Sequence, residues 1–313
     1  MRAISAFVGH RGLVAWCFAL FALGACIASC DRSHTGSAAR STPRLAAPSQ
    51  PRLVALSAGL GVTLRDLGLS HLVVGRHGFD LALDPSIPVS GDQSGLDYDA
   101  LLRVQPTHVL LEWGARPLPP RLIQLAEQQG WTINNLPNLT LDDIRQTTAR
   151  LQRDFGDFRT PHQQSDWVQK LDRAWQRRGN GFASLGRVLL LGQSDPPAAI
   201  GPGSFHHQIL ERVGGVPAIS HGAPWIELSA EDLIRLNPDA VVLVIPRSPS
   251  APPATQRHGA ALLPLLGKFG TLKLAAAERG TIALIDDPFA HTPSTAMAAF
   301  AEELVEVLER WDE

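Results

Sequence analysis

Leu96–Glu112 reads LDYDALLRVQPTHVLLE, and Ser229–Ile245 reads SAEDLIRLNPDAVVLVI. Each stretch has acidic residues near its start, then apolar residues at helical spacing, then a proline, then an apolar run. Proline disfavours helical backbone in the residue before it. Each helix therefore ends at Gln105 or Asn237, and a strand follows. One such helix–proline–strand unit in each half predicts an α/β fold of two lobes with mostly parallel sheets.

The same alternation extends outward from both units. In the first half, Arg52–Leu56 reads as a strand, Ser57–Gly61 as a turn, Val62–Leu67 as a helix and His71–Gly75 as a strand. Helices follow at Asp97–Val104 and Pro119–Gln129, the latter ended by Gly130, with strands at His108–Glu112 and Trp131–Asn134. Thr140 and Asp143 have the spacing of a helix cap. The second half gives strands at Arg187–Leu191, Ala240–Ile245 and Ile282–Ile285, and helices at Ser204–Val213, Ala230–Leu236 and Ala296–Trp311, with helical segments over Leu262–Leu274. Strands separated by helices imply parallel pairing with right-handed crossovers. Between the halves, Pro161–Gly181 is charged and Gln-rich. Its Trp167, Val168, Leu171 and Trp175 give it the pattern of one amphipathic helix.

The N-terminus has a different character. Arg2 and Arg11 precede the uncharged apolar run Gly12–Leu23, the pattern of an export signal, with an uncleaved anchor as the alternative. Small residues precede both Cys26 and Cys30, as at a bacterial lipidation site. Cleavage before Cys30 would remove Cys17 and Cys26 and leave the mature chain without an unpaired internal thiol. Cys30, or else Cys26, is the expected lipid attachment point. Residues 31–51 are rich in Ser, Ala, Pro and Thr without apolar periodicity, and read as a disordered tether. The expected organisation is leader 1–30, tether 31–51, N-terminal lobe 52–160, linking helix 161–182 and C-terminal lobe 183–313. A net charge of -2 with no basic run beyond the leader gives no footprint for a nucleic acid.

Four passages taken in order resemble the helical-backbone periplasmic binding proteins for cobalamin, haem and ferric siderophores. They are RLVALSAGL from Arg52, LDYDALLRVQP from Leu96, ILERVGG from Ile209, and PWIELSAEDLIRLNPD from Pro224. The resemblance covers the chain from about Arg52 to the C-terminus. It implies two lobes joined by one long helix, no enzymatic activity, and a monomer that captures a small ligand between its lobes. Such a protein passes its ligand to an ABC permease in the inner membrane. Within the family the region from Ser194 to Trp225 looks closest to the cobalamin branch, with haem or a ferric siderophore as alternatives. The resemblance also implies that Asp99 and Glu231 dock on the permease, with Asp97 as a rival to Asp99. Acidic residues in a helix's first turn also have a purely local reading, since the helix dipole favours them there.

Matching positions place the cleft in strand-end loops, where open α/β sheets bind ligands. Trp225 is the leading ligand-binding candidate, followed by Trp113, Phe79, His77, Phe289, His291, Ser204 and Phe205. For each aromatic, core packing is the alternative. Arg76 and Arg116 are the nearest cations. His77, His206, His207 and His291 fall in or beside the cleft, but their spacing is no metal signature. Adjacent His206 and His207 on a helix diverge by about 100°, so no metal site is expected. Gly192–Pro196 lacks the closing glycine of a nucleophile elbow, and Gly201–Gly203 the third glycine of a dinucleotide loop. A chelatase-like tetrapyrrole enzyme is the alternative from another class.

Overall fold

A computed structural model describes residues 50–92, 95–160, 165–194 and 196–312. The leader, both candidate lipidation cysteines and nearly all of the tether lie outside the described residues.

The first sheet is built from β1 (Leu53–Ala55), β2 (Val73–His77), β3 (Val89–Asp92), β4 (Gly95–Leu96), β5 (His108–Leu111) and β6 (Thr132–Asn135). Its order is β4-β3-β2-β1-β5-β6, parallel except for the β3–β4 edge. Its helices are α1 (Ala58–Asp66), α2 (Tyr98–Val104) and α3 (Pro120–Gln129), followed by α4 (Leu141–Phe155) and α5 (Trp167–Ala174). The second sheet holds β7 (Arg187–Ser194), β8 (Pro197–Ile200), β9 (Val216–Pro217), β10 (Trp225–Glu227), β11 (Ala240–Val244) and β12 (Ile282–Ile285). There β7, β11 and β12 are parallel, β8 and β10 add an antiparallel edge, and β9 pairs with the start of β7. Its helices are α6 (Phe205–Val213), α7 (Ala230–Leu236), α8 (Ala275–Arg279) and α9 (Ala296–Asp312). The fully buried runs of β1, β11 and β12 are what a sheet covered on both faces requires.

Both helix–proline–strand units form, with a shared detail. Gln105 and Asn237 leave the helix into the left-handed region, at φ 43° and 37°, rather than into extended backbone. Each closure is held by the arginine that leads the central strand. Arg52 donates from Nε to the Gln105 carbonyl at 3.0 Å and from Nη2 to that of Val104 at 2.6 Å. Arg187 Nη2 does the same for Leu236 at 2.7 Å and Asn237 at 3.3 Å. A cation at a helix C-terminus satisfies the orphan carbonyls and complements the dipole.

Two local expectations change. The turn expected at Ser57–Gly61 is already helix: the Ser57 hydroxyl accepts from Leu60 N at 3.0 Å and starts α1 at Ala58. The glycines read as turn formers serve packing, because a Cβ at Gly59 would sit 2.5 Å from the Pro293 carbonyl oxygen. The amphipathic segment expected over Pro161–Gly181 is helical only from Trp167 to Ala174. It is capped by Asp166, and Trp175 already departs from helical backbone; residues 161–164 lie outside the described residues. Besides α5, whose Trp167 donates to the Asp66 carbonyl of the first lobe while Leu171 and Ala174 join the second lobe's core, α4, with 15 residues, reaches between the lobes. Its start packs with the second lobe, through Leu141, Ile144 and an Arg212–Asp142 ion pair, while Leu151 and Phe155 join the first lobe's core.

Candidate functional site

The C-terminal ends of β1, β2 and β5 open onto one cavity of about 560 Å³. Its walls include Ser57, His77, Asp92, Glu112 and Trp113, and the second lobe closes it with the loop after β12, at His291. A neighbouring cavity of about 460 Å³ lies on the second lobe's side, walled by Ile200, Phe205, His206, Pro224 and Trp225, with Leu139 at its edge. His291 lines both cavities. The site is therefore bipartite, with charged and polar groups in the first lobe and an apolar bay in the second.

Trp225 begins edge strand β10, paired with Ile200 of β8, rather than lying in a loop. Its indole rests on Gly192, where an added Cβ would come within 2.4 Å of the ring. The ring is 45% exposed and stands edge-on to His291, with centroids 6.3 Å apart. In the other lobe Trp113 is fixed at both ends: its main-chain N–H donates to Asn135 Oδ1 at 2.9 Å and its indole N–H to the Pro117 carbonyl at 2.8 Å. The Arg116 guanidinium stacks 4.6 Å from the Trp113 ring centre and also lines the first cavity. Arg76 is committed elsewhere, to the carbonyls of Ile87, His77 and Pro85.

The histidines have different hydrogen-bond partners, although the rings of His206 and His291 meet edge-on with centroids 5.6 Å apart. His77 accepts the Phe79 N–H on Nδ1 at 3.2 Å, and burial lowers its pKa against the opposing pull of Asp92 and Asp80. His206 is fully buried, with Nε2 2.6 Å from the Ala290 carbonyl, and burial pushes its pKa down to about 3. The neighbouring ring of His207 points elsewhere and bonds the Ile219 carbonyl at 3.0 Å. His291 is also held below its ordinary pKa by burial, opposed by a hydrogen bond to the Val244 carbonyl. Its Nε2 is buried and has no hydrogen-bond partner among the described residues.

Of the remaining candidates, Phe205 lines the apolar bay. Ser204 lines it too, but its hydroxyl is engaged, donating to the Gly201 carbonyl at 2.8 Å and accepting from His207 N at 3.1 Å as the cap of α6. Phe79 is 60% exposed beside His77 and lines neither cavity. Phe289 also lies outside both, packed on the second lobe's core beneath Arg65 of α1 at 4.6 Å. Two further residues at the site were not singled out from the sequence, although Glu112 falls in the stretch Glu112–Gly114 expected to line the cleft. Leu139, 73% exposed at the bay's edge, belongs to no element with a readable period. Glu112 is joined by Asn138, which follows it by 26 positions and donates to its Oε1. The Ser57 hydroxyl is its second partner, and burial raises the Glu112 pKa above the ordinary carboxylate value. Among the described residues no helix is long and apolar enough to cross a membrane.

No protein-family model and no curated protein matches the sequence. Solved structures do. The periplasmic heme-binding protein RhuT of Roseiflexus sp. RS-1 aligns with a TM-score of 0.59 at 18% identity, over 84% of this chain and 100% of its own. The periplasmic vitamin B12 binding protein BtuF of Vibrio cholerae gives 0.59 at 14% identity, covering 84% and 98%. The periplasmic heme-binding protein HutB of Vibrio cholerae gives 0.59 at 18%, covering 82% and 99%. The two largely parallel sheets, with strand ends meeting at His291, have the fold of the class III periplasmic binding proteins.

Proposed function

We propose that this chain is the exported solute-binding component of an ABC importer, holding a cobalamin-like corrinoid between its lobes. The observation that supports it is the paired cavity at His291. Two adjoining spaces of about 560 and about 460 Å³ suit a ligand larger than either, touched by both lobes at once. Trp225 and Trp113 supply indole faces from opposite lobes, and aromatic faces match a flat macrocycle. A ferric siderophore with several negative charges would call for clustered arginines, and Arg116 is the one arginine lining either cavity among the described residues. Haem is the second reading, favoured by the partnerless Nε2 of His291.

The leader supports export and lipid anchoring at Cys30, or Cys26, in the periplasm. Asp99 and Glu231 are the proposed permease contacts. Each is exposed at the second position of its helix, α2 or α7, whereas the neighbouring Asp97 and Asp232 are engaged in the caps. Calorimetric and absorbance titration of the purified protein with cyanocobalamin, haemin and a ferric siderophore tests the reading. One-to-one corrinoid binding without turnover is expected. Binding of none overturns the reading, and metal insertion into a tetrapyrrole would move it to the chelatase-like class.

A further inference from the structure

The first cavity carries an unusual charge arrangement. Glu112 directly follows β5 at the cavity wall and has neutral partners, Asn138 and the Ser57 hydroxyl. Asn138 is 3% exposed and Ser57 9%, so this carboxyl has a fixed, buried backing. Asp92 adds a second carboxylate to the same wall. The facing groups supply little positive charge. His77 and His291 are both held below their ordinary pKa by burial, and the exposed Arg116 lies flat on Trp113. A desolvated carboxyl without a cation is costly and persists where a partner meets it. A protein that captures solutes can leave that partner to the ligand.

We infer that Glu112 is a specificity-determining residue, accepting N–H or O–H donors, or a cation, from the bound ligand and rejecting ligands that present a carboxylate there. The inference rests on the solute-binding reading and narrows it. The ligand class becomes an apolar-faced molecule bearing amide, amine or hydroxyl donors rather than a polycarboxylate. The apolar half goes to the bay of Trp225, Phe205 and Ile200, and the donor-bearing edge to Glu112. Peripheral carboxamides meet that description, whereas free propionates at the same edge would be repelled as like charges are across any close interface.

Two matched pairs of probes test this on the full-length protein in mild detergent, at pH 8 to keep the carboxyl ionised. The first pair is cyanocobalamin and its monocarboxylates, in which one peripheral amide has become a carboxylate. The second is haemin dimethyl ester and haemin. With wild-type protein, at least one acid member is expected to bind about tenfold or more weakly than its neutral partner, a gap of about 1.4 kcal/mol or more. Glu112→Gln, which keeps the shape and removes the charge, is expected to bring that acid-to-neutral penalty within about threefold, whatever the neutral probe itself loses with the carboxylate acceptor. Equal binding of acid and neutral members by wild-type protein overturns the inference and spares the solute-binding reading, and this comparison needs no variant to fold. An undiminished penalty in Glu112→Gln with a native melting temperature also overturns it. If neither pair binds, the corrinoid and haem readings fail and this inference falls with them.

Discussion

Lowering the pH is expected to destabilise this protein through His206. Its imidazole takes up a proton near its ordinary pKa of 6.5 when the chain is unfolded, but only near about 3 when folded, where burial outweighs the Ala290 carbonyl. As pH falls below 6.5 the unfolded chain binds the extra proton first, so stability is complete above that value and lost below it. The cost reaches about 2 kcal/mol at pH 5 and about 4 kcal/mol by pH 3.5. That is a large fraction of the ~5–15 kcal/mol that holds ordinary domains folded. At roughly 2 °C per kcal/mol for a chain of this size, the pH 5 loss lowers Tm by about 4 °C. Thermal melts followed by circular dichroism at pH 7.5 and pH 5 measure it, with His206→Gln as the comparison. Glutamine can still donate to the Ala290 carbonyl, does not titrate, and loses its contact with the Phe300 ring at both pH values alike. The variant's Tm should fall less between the two pH values than that of the wild type. An equal fall in both proteins would refute the assignment of the acid loss to His206.

The remaining predictions concern the site and its partner. Gly192→Ala is expected to displace the Trp225 indole, because the new methyl would overlap the ring; tryptophan fluorescence should shift and ligand affinity fall, with most of the native melting temperature retained. Trp225→Ala, which removes a half-exposed ring, should weaken ligand binding by about 1–3 kcal/mol with little change in Tm, and a large stability loss at unchanged affinity would count against its ligand role. Asp99→Lys combined with Glu231→Lys should sharply reduce permease-dependent uptake while leaving calorimetric ligand affinity unchanged; unimpaired uptake would remove both residues from the docking surface.

Where local chemistry decides structure, the sequence is readable. Thr140 and Asp143 form the reciprocal cap their spacing implies. Gly130 and Gly214 close helices in the left-handed region, at φ 72° and 102°. The two proline units fall at equivalent places in the two sheets, beside β5 and β11. Reading fails where distant partners decide. The Ser57–Gly61 stretch contains two glycines and reads as a turn, yet Pro293 and Asp80 pack so closely on Gly59 and Gly61 that helix α1 tolerates only a bare backbone there. Strands β4, β9 and β10 have two or three residues each, too few to show a period. Within the site, His77, Trp113 and His291 lie near strand ends and were reachable by topology alone. Phe289 satisfies the same rule and yet packs on the core under Arg65. The Glu112–Asn138 contact joins two loops and leaves no trace in either.

The arginine that leads β1, and its counterpart leading β7, carry a consequence for divergence between the two halves. Each closes a helix by reaching for main-chain carbonyls, and every residue type offers those. The side chains of the turn are thereby released from the task. One half has Gln105 and Thr107 where the other has Asn237 and Asp239, and although the turn is the same, the Arg52 main-chain N–H donates to a hydroxyl while that of Arg187 donates to a carboxylate. Two copies built this way can drift apart letter by letter and still superpose at the turn, provided the long cation survives in both.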